Sequence, residues 1–134
     1  MTNNFGFGPS DPDDPNSISS NEITVVYLDR DDILWIGTRT GGLNILNKKT
    51  GSFSHYKNAP GNQNSLGSDW VLSIYQDREG THWFGSVGSG VGKLNSSWRN
   101  FKLYHHIPSS INSLSDNMVR AFYQENDNML WVAT

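Results

Sequence analysis

The chain has 134 residues, a formal net charge of −3, 35% hydrophobic and 17% charged residues, and no cysteine. This length suits a single domain, and the weak acidity argues against a nucleic-acid partner. No apolar run reaches the ~20 residues that cross a bilayer, so we expect no membrane contact by this segment. Because cysteine is absent, disulfides, thiolate metal sites and a cysteine nucleophile are excluded.

A repeat of 48 residues organises the chain. Asn-Ser followed by Ile or Leu begins at positions 16, 64 and 112, and a tryptophan stands at positions 35, 83 and 131. No insertion or deletion separates these landmarks. A fixed period of this size indicates repeated supersecondary units that bury their faces against one another.

The first predicted strand of each repeat is rich in β-branched and aromatic residues, and it is apolar on both faces. These strands cover residues 23–28, 71–76 and 119–124. Such a strand belongs to a sheet that is packed between two neighbours. An acidic residue then opens a tight turn, and the second strand carries the tryptophan. A third strand is predicted at 43–46 and 91–94, and a fourth at 53–56 and 101–104.

Four strands joined by hairpins in each 48-residue unit are typical of one propeller blade. A β-solenoid is the rival architecture, but its repeats are usually shorter and lack three hairpins per unit. We therefore predict an all-β fold, a partial β-propeller made of four-stranded antiparallel blades.

We expect residues 1–134 to be a fragment of one propeller domain. The 48-residue spacing divides this fragment into blades. Phe5 stands 48 residues before Phe53, so residues 1–15 are predicted to hold the last strand and exit loop of a preceding blade. Blades are predicted at 16–63 and 64–111, and the first half of a further blade at 112–134. Known propellers have at least four blades. We therefore expect either a slice of a longer protein, completed by its remaining blades, or self-association through the open blade edge.

Residues 34–43 and 77–85 resemble the two-component regulator propeller repeat, Asp-x-x-Gly-x-Leu-Trp-Ile-Gly-Thr-x-x-Gly-Gly-Leu. The Asn-Ser-Leu-Ser of residues 112–115 is also usual in that family. The resemblance covers residues 4–134. The chain departs from the pattern at four positions, namely Asp32, Ser89, Asn128 and Ala133, where the family usually has glycine.

The resemblance implies a periplasmic sensor region. Members of the family typically carry two seven-bladed propellers, a small β-sandwich, a membrane helix and a histidine kinase, and many respond to glycan breakdown products. It therefore implies a non-catalytic sensor propeller of a hybrid two-component system with an oligosaccharide ligand. The sandwich, membrane and kinase segments are not in this chain, and its first residues do not have the basic start and apolar core of a secretory signal.

Ligand-binding positions should differ between blades, whereas scaffold positions repeat. In a propeller, the loops that lead into the inner strands and those joining strands two and three surround one mouth of the central channel. One position there, directly before the inner strand, holds a different residue in each of the three repeats. A second position, in the turn after strand two, differs between the first two repeats. A polar residue precedes the first position in every repeat. The predicted ligand contacts are Asn21, Glu22, Arg39, Asp69, Trp70, Asn117 and Met118.

No motif in the sequence indicates catalysis or metal binding. Asp29, Asp31 and Asp32 lack the spacing of a calcium loop, and the adjacent His105 and His106 would point to opposite faces of a strand. No serine stands in a nucleophile elbow. We expect no metal site, no cofactor and no catalytic residue.

Three functions therefore remain open. The first is the non-catalytic sensor, and the second is a protein-interaction scaffold without a small-molecule ligand. The third is a lyase similar to the streptogramin lyases, which use histidine and acidic residues at the channel mouth. The histidines here lie on or beside predicted outer strands or, for His82, next to a tryptophan, which argues against the lyase.

Overall fold

The computed structural model describes residues 8–95 and 100–134 of the chain. These two ranges contain strands, turns and loops but no helix, so none of their segments is a helix that could span a membrane. The predicted strand within residues 1–15 rests on Phe5, which lies outside the described residues. The strands are β1 (Ile23–Leu28), β2 (Leu34–Thr38), β3 (Leu43–Leu46), β4 (Phe53–Tyr56), β5 (Val71–Gln76), β6 (His82–Ser86), β7 (Val91–Asn95), β8 (Asn100–Tyr104), β9 (Ala121–Asn126) and β10 (Met129–Ala133).

The strands form three sheets, and within each sheet consecutive strands pair in antiparallel fashion. The first sheet has the order β1-β2-β3-β4, the second β5-β6-β7-β8, and the third contains β9 and β10. The first strands of successive sheets lie side by side, β1 against β5 and β5 against β9. The predicted all-β fold, a partial propeller of four-stranded antiparallel blades, is confirmed.

The strand register repeats with the sequence. Trp35 pairs with Tyr27, Trp83 with Tyr75, and Trp131 with Tyr123. The bulge near the start of β1 also recurs near the start of β5, two residues into each strand. Residues 48 apart therefore occupy equivalent places in successive sheets.

The third hairpin differs from the prediction, because β9 begins and ends two residues later than the predicted strand at 119–124. In the first two hairpins the turn is longer, and Asp32 and Gly80, two residues before the next strand, adopt positive φ angles of 62° and 88°. In the third, Asn126 pairs directly with Met129 across a two-residue turn. The tighter turn extends the ladder toward the hairpin end.

The main core lies between the first two sheets. Trp35 of β2 packs against Phe84 of β6 with ring centroids 5.4 Å apart, and Tyr56 of β4 packs against Phe101 of β8 at the same centroid distance. Burial of the tryptophan depends on the sheet that follows. Trp35 is 4% exposed, whereas Trp131, in the third sheet, is 57% exposed.

Close approach of the sheets requires glycine at one position of the second strand. A Cβ atom added to Gly85 would lie 2.1 Å from Ser73 Oγ and 2.6 Å from the Val119 carbonyl oxygen. A Cβ on Gly92, in the neighbouring strand β7, would meet nothing closer than 3.5 Å. Gly85 therefore sets how closely β5 and the chain leading into β9 can pack on β6.

We predict that Gly85→Ala lowers the free energy of unfolding by about 1–3 kcal/mol, because the methyl group forces the backbone of the neighbouring segment to move. Gly92→Ala is the matched control in the same sheet, and it should change stability by less than about 0.5 kcal/mol. Urea denaturation followed by circular dichroism measures both. Equal effects of the two substitutions would contradict the close-approach role of Gly85.

Candidate functional site

Three of the predicted ligand contacts meet at the junction of the first two sheets. Arg39 lies in the turn after β2, Glu22 directly precedes β1, and Trp70 directly precedes β5. The Arg39 guanidinium carbon lies 4.7 Å from the centroid of the Trp70 ring, and its Nη1 atom lies 3.7 Å from Glu22 Oε1. The Arg39 backbone N–H also donates to the Glu22 carbonyl at 2.9 Å. We call Glu22, Arg39 and Trp70 the mouth cluster.

The mouth cluster holds the arginine in place but leaves it accessible. The Arg39 side chain is 54% exposed and the Glu22 side chain 55%. A cation–π contact at an exposed site is worth about 0.5–1 kcal/mol, and an exposed ion pair about 0–1 kcal/mol. Arg39 can therefore exchange part of these contacts for a ligand without a large cost.

The junction of the second and third sheets repeats this backbone hydrogen bond, but its side chains differ. Val87 stands in the slot of Arg39, and its N–H donates to the Trp70 carbonyl at 3.0 Å, as Arg39 does to Glu22. Met118 stands in the slot of Trp70, and its sulfur accepts from Arg120 Nη2 at 2.9 Å. The Arg39–Trp70 pair is thus particular to the first junction, whereas Met118 belongs to the second.

The other three predicted contacts share a structural role that the sequence analysis missed. Each one accepts, through a side-chain oxygen, a backbone N–H from the residue 11 positions earlier. The bonds are Asn21 to Ser10 at 2.7 Å, Asp69 to Asn58 at 2.7 Å and Asn117 to His106 at 2.6 Å. The sequence did contain a signal for this role, because a side chain with an acceptor oxygen stands at this position in every repeat. Ligand contact by these residues stays a prediction.

A buried polar cluster lies in the outer part of the same junction. Asp29 Oδ2 accepts from Trp35 Nε1 at 2.8 Å and lies 3.0 Å from His82 Nε2, while Asp29 Oδ1 accepts the backbone N–H groups of Asp31 and Ile33 at 3.0 and 2.9 Å. His82 belongs to the second sheet, so the carboxylate joins two sheets. Among the residues described, no group of three histidine, aspartate or glutamate side chains could hold a metal ion.

The hydrogen bonds to Asp29 keep its carboxyl group ionised. Burial raises the pKa of Asp29, since a charge is costly away from water. The bonds from the Trp35 indole, the Ile33 backbone, His82 and the Asp31 backbone act in the opposite direction and lower the pKa of Asp29 below 3.8. The carboxylate is therefore an acceptor at all but strongly acidic pH.

We predict that Asp29 makes folding stability dependent on acid pH. Because its folded pKa lies below the unfolded value, its contribution is present above the unfolded pKa and is lost as the pH falls through the folded pKa. Asp29→Asn should lower the free energy of unfolding by about 1–3 kcal/mol at neutral pH. That difference should shrink on acidification.

Urea denaturation of both proteins from about pH 5 downward measures this change. Asp31→Asn is the control, since it removes an exposed carboxylate from the same turn. A stability difference between the original chain and Asp29→Asn that stayed constant down to acid unfolding would refute the assignment.

The repeats match the family described as two component regulator propeller at residues 17–40, 65–88 and 113–134, which together are more than half of the chain. None of the curated proteins searched matches the chain.

Solved structures of similar fold come from B. thetaiotaomicron. The extracellular domain of the putative hybrid two component system BT3049 is 25% identical with a TM-score of 0.78, and the match covers 92% of this chain and 17% of that one. The extracellular domain of the putative hybrid two component system BT4673 is 23% identical with a TM-score of 0.70 and the same coverages. The chain thus spans less than a fifth of these proteins' length. The resemblance seen in the sequence is confirmed, and the chain belongs to the two component regulator propeller family.

Proposed function

We propose that the chain is part of a periplasmic sensor propeller of a hybrid two-component system, that it binds an oligosaccharide at the mouth cluster, and that it has no catalytic activity of its own. Family membership supports the sensor role. The similar structures are extracellular domains of putative hybrid two component systems, which supports a location outside the cytoplasm.

The observation that carries the ligand proposal is the Arg39–Trp70 pair across the first junction. Trp70 is partly exposed, and an indole face packs well against the C–H groups of a sugar ring. Arg39 and Glu22 flank it with N–H donors and carboxylate acceptors, which suit sugar hydroxyl groups. A flat apolar face between polar groups is the usual composition of a site that orients a small ligand.

We further propose that other blades pack against both ends of the described region. Ile23 is 47% exposed, whereas Val71 and Val119, which occupy its place in the next two repeats, are fully buried at 0%. Tyr123 and Trp131 are 65% and 57% exposed at the other end. Each exposed face corresponds to one half of the blade junction between the first two sheets. In this proposal, residues 16–63 and 64–111 are whole blades, 1–15 complete a preceding blade, and 112–134 begin a further one.

These apolar faces also favour a second candidate function, the protein-interaction scaffold. A partner protein or a second copy of the chain could occupy the face of Tyr123 and Trp131. The two candidates differ in their small-molecule binding, since a scaffold needs no saccharide.

We predict that a panel of oligosaccharides contains a ligand that raises the melting temperature of the chain, and that Trp70→Ala weakens its affinity about tenfold, equivalent to roughly 1.4 kcal/mol. Arg39→Ala should weaken it as well. Arg78→Ala is the matched control, because its side chain is 55% exposed and makes one ion pair, like that of Arg39.

Calorimetric titration gives the affinities of the four proteins. If no oligosaccharide raises the melting temperature, the scaffold is favoured over the sensor. If a saccharide binds equally well to Trp70→Ala and to the original chain, its site lies elsewhere than the mouth cluster.

A further inference from the structure

An apolar cleft of about 510 Å³ lies at the junction of the second and third sheets. Its lining includes Trp83 and Val91 of the second sheet, Leu130 and Val132 of β10, and Leu114 of the loop that joins the two sheets. Val91 is buried, whereas the other four side chains are only half-buried. Since these side chains are large and apolar, the cleft is a surface suited to another apolar segment.

The first junction shows what occupies the equivalent space. Trp35, Leu66 and Phe84 stand 48 residues before three of the lining residues, and they form one core with Leu94 and Phe101. The ring centroids of Phe84 and Phe101 lie 5.7 Å apart. Leu94 and Phe101 pair directly with each other across β7 and β8. A leucine and a phenylalanine on the third and fourth strands of the later sheet therefore close the first junction.

A backbone carbonyl group beside the cleft also has equivalents with a known partner. The carbonyl of Asn16 accepts the N–H of Phe53 at 2.8 Å, and that of Asn64 accepts the N–H of Phe101 at 3.0 Å. Both phenylalanines lie in the fourth strand of a sheet. Asn112 stands 48 residues after Asn64 and lines the cleft. Its carbonyl is therefore placed to accept the N–H of a phenylalanine in a further fourth strand.

The edge of β10 lies beside this cleft. Among the described residues β10 pairs only with β9, whereas β2 and β6 each lie between two strands. Ser86, the last residue of β6, donates its N–H to the Gly90 carbonyl on the side of β7 at 3.1 Å. Because backbone direction alternates along a strand, Leu130, Val132 and Thr134 direct their N–H and carbonyl groups to the equivalent side. No charged residue occurs in β10 to discourage the addition of a strand.

We propose that the cleft and the edge of β10 receive a β-hairpin of the same protein, which adds a third and a fourth strand to the third sheet. The first strand of the hairpin pairs with β10 and carries a leucine. Its second strand carries the phenylalanine that pairs with this leucine, fills the cleft and donates its N–H to the Asn112 carbonyl. Since the chain spans less than a fifth of the similar structures, a longer protein would supply this hairpin from its own sequence. The inference rests on the blade arrangement proposed above and does not depend on the oligosaccharide.

The test uses a synthetic peptide of residues 90–104 as the probe, because this segment contains β7 and β8 with Leu94 and Phe101. It is titrated into the isotopically labelled chain and followed by NMR. We expect saturable shifts and slower hydrogen exchange at the Leu130 and Val132 amides, and unchanged exchange at the Trp131 amide, which faces β9. The same peptide with Phe101→Ala should bind at least about tenfold more weakly. This comparison leaves the protein itself unchanged, so its folding does not affect the result.

A variant of the chain tests the cleft from the other side. Leu130→Asp places a charge in the lining and should abolish binding of the peptide. Tyr123→Asp is the matched control, because Tyr123 is 65% exposed on the opposite face of the same sheet and should leave the affinity unchanged. Failure of the peptide to bind, or equal binding of its Phe101→Ala form, would overturn the proposal.

Sedimentation of the chain without peptide identifies the rival occupant. A dimer that is lost on Leu130→Asp substitution would assign the cleft to a second copy of the chain and would also overturn the proposal. We expect a monomer. No saccharide is present in these experiments, so their outcome is independent of the mouth cluster, whose failure would appear only in the oligosaccharide titration.

Discussion

The structure depends on a hydrogen bond between a carboxylate and an indole. In each repeat, the acid that opens the first turn accepts from the tryptophan Nε1 six residues later, at distances of 2.8, 2.9 and 2.8 Å for Asp29–Trp35, Asp77–Trp83 and Glu125–Trp131. A buried polar group without a partner would cost about 1–3 kcal/mol. The bond therefore fixes the turn and directs the indole toward the following sheet, where it becomes part of the core.

Further contacts recur across the junctions and reproduce the spacing between sheets. Gln76 Oε1 accepts the backbone N–H of Arg30 at 3.0 Å, and Gln124 Oε1 accepts that of Arg78 at the same distance. In both cases the later of the two sheets supplies the amide oxygen, and a turn of the earlier sheet supplies the N–H. Stability in such an array is close to a sum of repeat and neighbour terms. The 57% exposure of Trp131, against 4% for Trp35, shows how much of the core a neighbouring sheet provides.

Most of the fold could be predicted because its signals are local and recur three times. The positions of β-branched strands, turn residues and tryptophans predicted the sheets. Variation between repeats pointed to Arg39 and Trp70, which lie in contact, while their ligand contact stays a prediction. The later end of β9 could not be predicted, since the two-residue turn depends on which residues pair. The Asp29–His82 contact was missed for a different reason. His82 has leucine at both equivalent positions, 34 and 130, so the repeat contains no polar signal there.

A comparison of the two junctions distinguishes the interactions that form the scaffold from the side chains that differ in chemistry. Both use the same register, the same carboxylate–indole bond and the same backbone bond below the mouth. The first has Arg39 with Trp70 at the mouth and His82 bonded to Asp29. The second has Val87 with Met118, and Lys93 and Lys102 lie over the rings of Trp83 and Tyr104. The residues at the mouth, Arg39 and Trp70 or Val87 and Met118, lie just outside the strands, where a new side chain need not change the register. Each junction can therefore acquire its own binding chemistry while the repeat keeps its fold, and binding residues in such an array are best sought where equivalent positions disagree.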